Sequence, residues 1–211
     1  IHDRRQRQMC IRDRNMSFGK LKEPFTTNLD PQVMEAYENI CDELKKLGAK
    51  IEEIIIPEAN EKASLFPKIV GSEIISAFGI DRFKENVDEM DPITGNRAKL
   101  GLNVHSFEYI TAKQRVSELE VIVNQYFMKY DALLSPTTVM QALDVNKAEI
   151  GKELHERSLL ASANTQPVNI FGICAITYPI QKFATNQNQD ILPIGLQIIC
   201  NKNEDLSLIH I

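Results

Sequence analysis

The stretch that decides the fold runs from residue 30 to residue 57 and reads DPQVMEAYENICDELKKLGAKIEEIIIP. Asp30 can cap a helix and Pro31 suits the first helical position, so a helix is predicted to begin there. Apolar residues then recur at spacings of three and four and form one stripe: Val33, Tyr37, Ile40, Leu44 and Leu47. Gly48 is the expected left-handed stop, and the Ile-rich run that ends at Pro57 predicts a buried strand. Helix, glycine and strand in this order indicate an α/β fold.

The next part of the chain predicts a second helix and then a polar segment. The helix spans residues 61–78 and is kinked or restarted at Pro67. Its apolar positions are Leu65, Ile69, Ile74 and Phe78. Residues 79–101 are polar and carry turn signals at Asp91-Pro92 and at Gly95.

Helices and strands alternate again in the C-terminal part of the chain. A long helix is predicted over residues 106–130, with one buried stripe: Ile110, Val116, Leu119, Val123, Tyr126 and Tyr130. Another helix is predicted over residues 151–163, and a polar loop over residues 185–190. Short apolar runs predict strands at 131–135, 173–180 and 194–200.

Composition and charge exclude several classes of protein. The chain has 211 residues, 43% hydrophobic and 25% charged, with a net charge of −5. These values are typical of a globular protein and exclude a disordered chain. The acidic balance argues against a nucleic-acid-binding domain, and no apolar run reaches the ~20 residues of a membrane helix. The four cysteines form no C-x-x-C pair, so we expect neither a disulfide framework nor a zinc site.

Both ends of the chain match translated sequencing adapter. Residues 206–211 read LSLIHI, the translation of the transposase adapter CTGTCTCTTATACACATC, and residues 4–14 match its reverse complement with the primer tail. We therefore expect residues 1–14 and 206–211 to be adapter-derived and residues 15–205 to be an internal piece of a longer reading frame. His2, Cys10 and His210 are then not site candidates. The alternative is a basic N-terminal arm, which would suggest nucleic-acid binding or targeting.

The usual signatures of catalytic chemistry are missing from the sequence. No Gly-x-Ser-x-Gly turn, phosphate-binding loop or dinucleotide fingerprint occurs. Between the expected adapter ends, His105 and His155 stand alone, so we interpret both as surface or satisfied residues and assign no metal site. Cys174 and Cys200 lie in predicted strands and are interpreted as small buried hydrophobic residues.

Three stretches resemble the C-terminal half of the amidase signature family. Residues 130–138, YDALLSPTT, are similar to the family's Y-D-x-L-L-x-P-T. Residues 165–172, TQPVNIFG, are similar to T-x-P-x-N-L-x-G and are followed by AITYP, where the family has A-I-S-V-P. Residues 192–199, LPIGLQII, resemble L-P-V-G-L-Q-L-I. The helix and strand of residues 29–56 also fit, so the resemblance covers nearly all of residues 20–205.

This resemblance implies both a fold and a reaction. The fold is α/β, a mixed β-sheet covered by helices, and the chain is expected to be an incomplete C-terminal portion of it. The reaction is hydrolysis or transfer of an amide group by a nucleophilic Ser, a second Ser in a cis peptide arrangement and a Lys base. These groups belong to the family's N-terminal half, so no catalytic residue is assigned here. Lys20 and Lys22 come too late in the family order to be that base, and no cofactor is implied.

The resemblance also suggests where this chain would contact substrate. The substrate-pocket candidates are Thr137, Thr165, Asn169 and Gly172, with the last two in a loop that precedes a strand. The alternative for Asn169 is structural, because loop Asn side chains often bind backbone groups. The turn at Pro136-Thr137-Thr138 has the same alternative of a plain strand-ending turn.

The sequence also bears on the branch of the family. In the tRNA-dependent amidotransferases, the amidase-like chain binds glutamine through an Arg on the long helix, and that position falls at Val116 here. Arg115 is adjacent but points ~100° away on a helix, so we expect it to be solvated. The acid of that branch is absent from residues 159–165. We therefore expect a cytoplasmic amidase for a less polar small-molecule amide, without direct nucleic-acid contact. The alternatives are an amidotransferase chain, a partner-binding protein and a catalytically dead homologue, and the oligomeric state is not predicted.

Overall fold

The computed structural model describes residues 16–142, 152–183 and 192–206. The described strands are β1 (Ser17–Leu21), β2 (Lys50–Ile54), β3 (Ala132–Pro136), β4 (Cys174–Pro179) and β5 (Gly195–Cys200). The described α-helices are α1 (Pro31–Lys46), α2 (Lys62–Phe78), α3 (Ile80–Asn86), α4 (Pro92–Lys99), α5 (Ser106–Asn124), α6 (Lys152–Ala161) and α7 (Thr165–Phe171). The expected adapter-derived ends, except Leu206, and the predicted loop at 185–190 lie outside the described residues.

The strands form one mixed sheet in the order β2-β1-β3-β5-β4. β1 runs parallel to both β2 and β3, whereas β5 runs antiparallel to β3 and β4. The predicted α/β class with a mixed, helix-covered sheet is confirmed. In this order β3 lies at the centre, so the C-terminal end of the family-like YDALLSPTT segment is also the end of the central strand.

Helices cover the two faces of the sheet, because successive residues of a strand point to opposite faces. On one face, Leu133 and Ile199 pack with residues of α2, α5 and α7, such as Leu119. On the other face, Leu134 packs against α1. Burial of each such apolar side chain contributes about 1.5–3 kcal/mol relative to exposure.

The predicted helix–glycine–strand unit is confirmed, with one correction. α1 begins at Pro31, and Gly48 takes the left-handed backbone (φ 101°) that ends it. The strand is not a buried one. β2 is the edge of the sheet, its residues are exposed or half-buried, and Ile55 just after it is 58% exposed. Only Ile56 at the Ile-rich end is fully buried.

The predicted polar segment at residues 79–101 is helical. Asp91 accepts hydrogen bonds from the backbone N–H groups of Ile93 (3.1 Å) and Thr94 (2.9 Å), so the turn signal is the N-cap of α4. Three apolar side chains of this polar stretch, Phe83, Val87 and Ala98, pack on Ile75 of α2 and form a small third core. The polar composition of residues 79–101 did not predict this core, because only a few apolar residues form it.

Some predicted stripe positions are exposed. Phe78 at the end of α2 and Ile110 on α5 are 47% and 54% exposed, whereas Leu119 and Val123 are buried as predicted. α5 ends at Asn124, six residues before the predicted end, and is followed by the 3₁₀ turn Tyr126–Met128. Ala112, which was not in the predicted stripe, is buried.

α2 and the 3₁₀ turn Leu100–Asn103 touch through their backbones. A Cβ on Gly101 would lie 2.3 Å from the carbonyl carbon of Gly71 and 2.5 Å from the backbone nitrogen of Ser72. Two glycines therefore allow a contact that no side chain would permit. This contact fixes the distance between α2 and the segment that follows α4.

In the described residues, no single helix is long and apolar enough to cross a membrane. The segments Pro57–Phe78 and Ile80–Glu89 together pass that test of length and composition, but they are bent by 98° at their junction.

Candidate functional site

A short turn between α6 and α7 joins the helical layer to the central strand. Asn164, which is 1% exposed, donates from its side-chain amide to the backbone carbonyls of Phe25 (2.9 Å) and Pro136 (2.8 Å). Pro136 is the last residue of β3, and Phe25 follows β1 in the chain. The turn at residues 162–164 is thus held against the C-terminal ends of two parallel strands, a common place for ligand sites in α/β sheets.

Two of the four predicted pocket residues lie near this turn or at the end of β3. Thr137 donates its backbone N–H to the carbonyl of Gly195 (2.9 Å), and its hydroxyl lies 3.2 Å from that of Thr177. Thr165 is the first residue of α7, and its hydroxyl donates to the Ser162 carbonyl (3.2 Å).

The other two predicted residues lie at the far end of α7. Asn169 is on an exposed helical position and not in the predicted loop, and Gly172 ends the helix in the left-handed conformation (φ 64°). The backbone-binding role considered for Asn169 belongs to Asn164 instead. The structure therefore does not bring all four candidates together, and a pocket built by them stays a prediction.

The described residues do form a cavity of about 820 Å³ between α2, α4 and the α6–α7 pair. Most of its wall is apolar: Phe66, Pro67, Val70, Ile74, Leu100, Leu159 and Leu160. Ala163 and Gln166, on either side of the pair Asn164-Thr165, also line it. None of the four predicted candidates does. The size lies within the range of small-molecule sites, about 300–1,000 Å³.

Two cations, Lys62 and Arg97, are among the described residues that line this apolar cavity. Lys62, the first residue of α2, donates from Nζ to the backbone carbonyl of Ala163. Burial lowers the pKa of Lys62 below its usual value, because the charged ammonium loses water. The Nη2 of Arg97 on α4 donates to the hydroxyl of Ser158 (3.1 Å), while its Nε is buried without a hydrogen-bond partner. Glu156 is the acidic residue of the wall, and it is itself engaged in an interaction.

Arg115 was expected to be solvated, but its guanidinium is paired with two carboxylates. Its Nε and Nη2 donate to the two carboxylate oxygens of Glu61 (2.8 and 2.7 Å), and its Nη1 donates to Glu118 (2.7 Å). These carboxylates raise the pKa of Arg115 above its already high value. The guanidinium is about one-third exposed and bridges the start of α2 to α5. Its charge is therefore used within the protein.

Lys20 lies on the opposite side of the sheet from the cavity and is also internally paired. Its side chain is 3% exposed and contacts the carboxylates of Glu38 and Glu53. Burial acts to lower the pKa of Lys20, but the hydrogen bond to Glu38 and the nearby negative charges outweigh it and raise that pKa. This pairing gives Lys20 a structural role.

The isolated His and Cys residues that the structure describes show no sign of a metal site. The backbone N–H of His105 donates to Glu108 (3.1 Å) at the start of α5. The side chain of His155 is outside the described residues. Cys200 is buried, which raises its pKa to about 12, whereas Cys174 is half-buried. Within the described ranges, no group of three or more His, Cys, Asp or Glu side chains could hold a metal ion.

Comparisons with known proteins decide the family. The Amidase family profile matches residues 3–209. The chain belongs to the Amidase family. Its three family-like stretches fall on β3, on α7 with β4, and on β5, so the Amidase motifs converge on the centre and one side of the sheet.

Individual Amidase relatives are distant and much longer than this chain. The 2-amino-5-chloromuconic acid deaminase of Comamonas testosteroni is 26% identical over 205 residues, covering 95% of this chain and 43% of that protein. The A component of glutamyl-tRNA(Gln) amidotransferase from Desulforamulus reducens is 26% identical over 224 residues, covering 94% and 44%. A crystal structure of an amidase superposes with a TM-score of 0.75 at 18% identity, covering 93% and 44%. The chain thus spans less than half the length of its Amidase relatives.

Sequence reasoning missed Asn164, Lys62 and Arg97. Asn164 immediately precedes the family-like TQPVNIFG stretch, which was a signal for its position but not for its burial. Lys62 and Arg97 carried no sequence signal, because each became notable only through the surroundings that the fold gives it.

Proposed function

We propose that the whole protein hydrolyses the C–N bond of a carboxylic amide. The observation that supports this proposal is the Amidase family match, which spans residues 3–209. The family-like stretches, the mixed sheet and the cavity beside the turn that Asn164 ties to β3 agree with it. This chain would supply part of the sheet, the outer helices and one wall of the substrate pocket.

The proposed chemistry uses a Ser–cisSer–Lys set that lies upstream of this chain in the full reading frame. The Lys takes a proton through the middle Ser, so the nucleophilic Ser attacks the amide carbonyl and ammonia or an amine leaves. Water then cleaves the acyl-enzyme. Backbone donors near the nucleophile would stabilise the negative charge that develops on the carbonyl oxygen. The chain described here should have no amidase activity alone.

The pocket wall is proposed to be the cavity between α2, α4 and the α6–α7 pair. Its turn at residues 162–164 is tied to the end of β3 through Asn164, so the cavity is coupled to the C-terminal edge of the parallel strands. Thr137 and Thr165 lie beside this connection and stay candidates for substrate contact. Asn169 and Gly172 are weaker candidates, because they lie at the opposite end of α7.

A second candidate function is that of the amidase-like component of a glutamyl-tRNA(Gln) or aspartyl-tRNA(Asn) amidotransferase. The similarity to the Desulforamulus reducens protein favours it. The pairing of Arg115 with Glu61 and Glu118 speaks against it, because this guanidinium is already bound to carboxylates of the protein. A free glutamine needs a charged partner for its own carboxylate.

The test is to recover the full reading frame, express the protein, and measure ammonia release from a panel of primary amides that includes glutamine. A fluorophosphonate probe would report a reactive serine in the same sample. We expect probe labelling on a serine outside this chain and hydrolysis of a non-glutamine amide. Preference for glutamine would favour the amidotransferase. No labelling and no hydrolysis would overturn the enzyme proposal and favour a non-catalytic binding protein.

A further inference from the structure

The cavity between α2, α4 and the α6–α7 pair combines an apolar wall with two basic side chains. Phe66, Val70 and Leu160 are among the apolar residues, and Lys62 and Arg97 are the cations. A site with this composition fits a ligand that has an apolar body and an anionic group. The pairing of the two cations within the protein decides whether they are available to such a group.

Arg97 has donors that the protein leaves unused. One of its terminal nitrogens donates to Ser158, but its buried Nε has no partner. Among the side chains that the structure describes, no carboxylate forms a salt bridge with it. A buried N–H group without an acceptor is unfavourable, so an anionic oxygen that reached Arg97 would remove a penalty as well as add an attraction.

Lys62 has the same property. Its ammonium group donates to the Ala163 carbonyl, and in the described part of the chain it forms no salt bridge. An ammonium carries three N–H donors, so one such bond leaves two. The lowered pKa of Lys62 is consistent with a half-buried cation that has no negative partner.

The cations of the neighbouring helix α5 differ from those of the cavity, because they are paired with carboxylates. Arg115 binds Glu61 and Glu118, and Lys113 binds Glu73 at 3.1 Å. Both are on α5, which also packs against α2 but lies outside the cavity wall. The protein thus pairs these cations on the outer helix, whereas Lys62 and Arg97 form no salt bridge with a described side chain, although the engaged Glu156 carboxylate also lines the wall. The described lining then has two basic residues and one acidic residue. Charge complementarity then favours an anionic occupant.

We propose that this cavity binds the carboxylate of an amide substrate whose body is apolar, with Arg97 and Lys62 holding the carboxylate. This assignment rests on the proposed amidase function, and it narrows the substrate class to amides of acids that have an apolar body and a second, free carboxylate, which excludes glutamine. The two basic residues act as specificity-determining groups and take no part in bond cleavage.

The experiment uses the full-length protein and two probes of matched shape. Isothermal titration calorimetry measures the affinity for 4-phenylbutyrate and for 4-phenyl-1-butanol, which lacks the charge. We expect the parent protein to bind the carboxylate at least tenfold more tightly, and Arg97→Gln to reduce that affinity about ten- to a hundredfold. The affinity for the alcohol should stay the same in both proteins.

Lys62→Met provides a second variant, and Arg82→Gln is the matched control. Arg82 is an exposed cation on α3 that does not line the cavity, so its loss changes net charge equally without touching the site. Circular dichroism melts verify folding, and if Arg97→Gln does not fold, Lys62→Met carries the test. Equal parent affinity for acid and alcohol, or an equal loss of acid affinity in Arg82→Gln, would overturn the proposal.

Activity data separate this proposal from the amidase proposal. Binding of the carboxylate probe without any amide hydrolysis would overturn the enzyme function and leave an anion site. Hydrolysis that shows no preference for carboxylate-bearing amides, together with probe affinity unchanged in Arg97→Gln, would overturn the anion site and leave the enzyme function.

Discussion

The sheet and the helical cavity treat buried polar groups in opposite ways. The buried polar side chains around the sheet all have partners: Lys20 has two carboxylates, Ser135 bonds Gln197, and Asn164 binds two backbone carbonyls. In the cavity, Arg97 keeps a buried nitrogen unpartnered and Lys62 lacks a carboxylate among the described side chains. Of the three buried side-chain atoms without a partner in the described residues, Glu58 Oε2 and Gln181 Oε1 belong to residues outside the cavity wall, and Arg97 Nε belongs to a residue of that wall.

The two lysines make the contrast sharpest. The same side chain has a raised pKa beside Glu38 and a lowered pKa beside the Ala163 carbonyl. Burial acts in the same direction on both, so the difference lies in the negative charge that surrounds each one. For these two lysines, the pKa direction thus follows the presence or absence of a carboxylate partner.

The largest effect is expected when Lys20 loses its partners. In Glu38→Gln/Glu53→Gln, a buried ammonium would face only neutral groups, and we expect a loss of about 3 kcal/mol in the free energy of unfolding of the full-length protein. Urea denaturation would measure it. Adding Lys20→Met should recover most of the loss, because it removes the buried charge.

Glu43→Gln on the same helix is the control. Glu43 pairs with Lys46 at the surface, so its replacement should change stability by less than about 0.5 kcal/mol. If Glu43→Gln and the double variant lost a similar amount of unfolding free energy, the Lys20 cluster would contribute no more to stability than a surface ion pair.

An intermediate effect is expected at Asn164. Asn164→Ala would leave the carbonyls of Phe25 and Pro136 buried without this donor, which should cost about 2 kcal/mol. Thermal unfolding would measure the loss. Asn169→Ala changes the same residue type at an exposed position, and it should alter stability by less than about 0.5 kcal/mol. Equal losses would contradict the role given to Asn164.

The smallest effect is expected at Lys62 and depends on pH. The folded state lowers the pKa of Lys62, so the unfolded chain binds more protons in the window below the usual value of 10.5, and stability rises with pH there. The folded state raises the pKa of Lys20, so its contribution is complete below 10.5 and is lost as pH rises through the folded pKa.

The pH dependence of the free energy of unfolding is measured for the parent and for the variants Lys62→Met and Lys20→Met. At neutral pH, Lys62→Met should lie within about 1 kcal/mol of the parent. As pH rises towards 10.5, the parent should gain stability relative to Lys62→Met, and as pH rises above 10.5 it should lose stability relative to Lys20→Met. If the stability of the parent changed with pH in the same direction relative to Lys62→Met and to Lys20→Met, the proposed difference between the two cations would be contradicted.

Local patterns were enough for most elements of the fold. α1, Gly48 and the strands β3 to β5 follow from apolar spacing and from punctuation by Gly and Pro. β1 was missed because it contains Lys20, a residue type typical of exposed positions until Glu38 and Glu53 from other elements are in place. The helices at residues 79–101 were missed because their core consists of a few side chains packed on Ile75.

The candidate site was less predictable than the fold. The family-like stretches located the right part of the sheet, but they pointed to Asn169 where Asn164 makes the buried bonds. Lys62 and Arg97 stand out because both line the cavity, and neither forms a salt bridge with a described carboxylate. That lack is a property of the folded arrangement, and no spacing along the chain encodes it.

The contact between Gly71 and Gly101 has a consequence for how this cavity can change during evolution. Both glycines meet backbone to backbone, and Gly71 and Leu100 are part of the cavity wall. Substitution at either glycine would push two main chains apart, so selection cannot adjust the spacing of these segments in small steps. New ligand preferences must therefore arise by exchanging side chains such as Phe66, Val70 and Ile74 on a wall of constant spacing. Homologues of altered specificity should differ at those positions and keep both glycines.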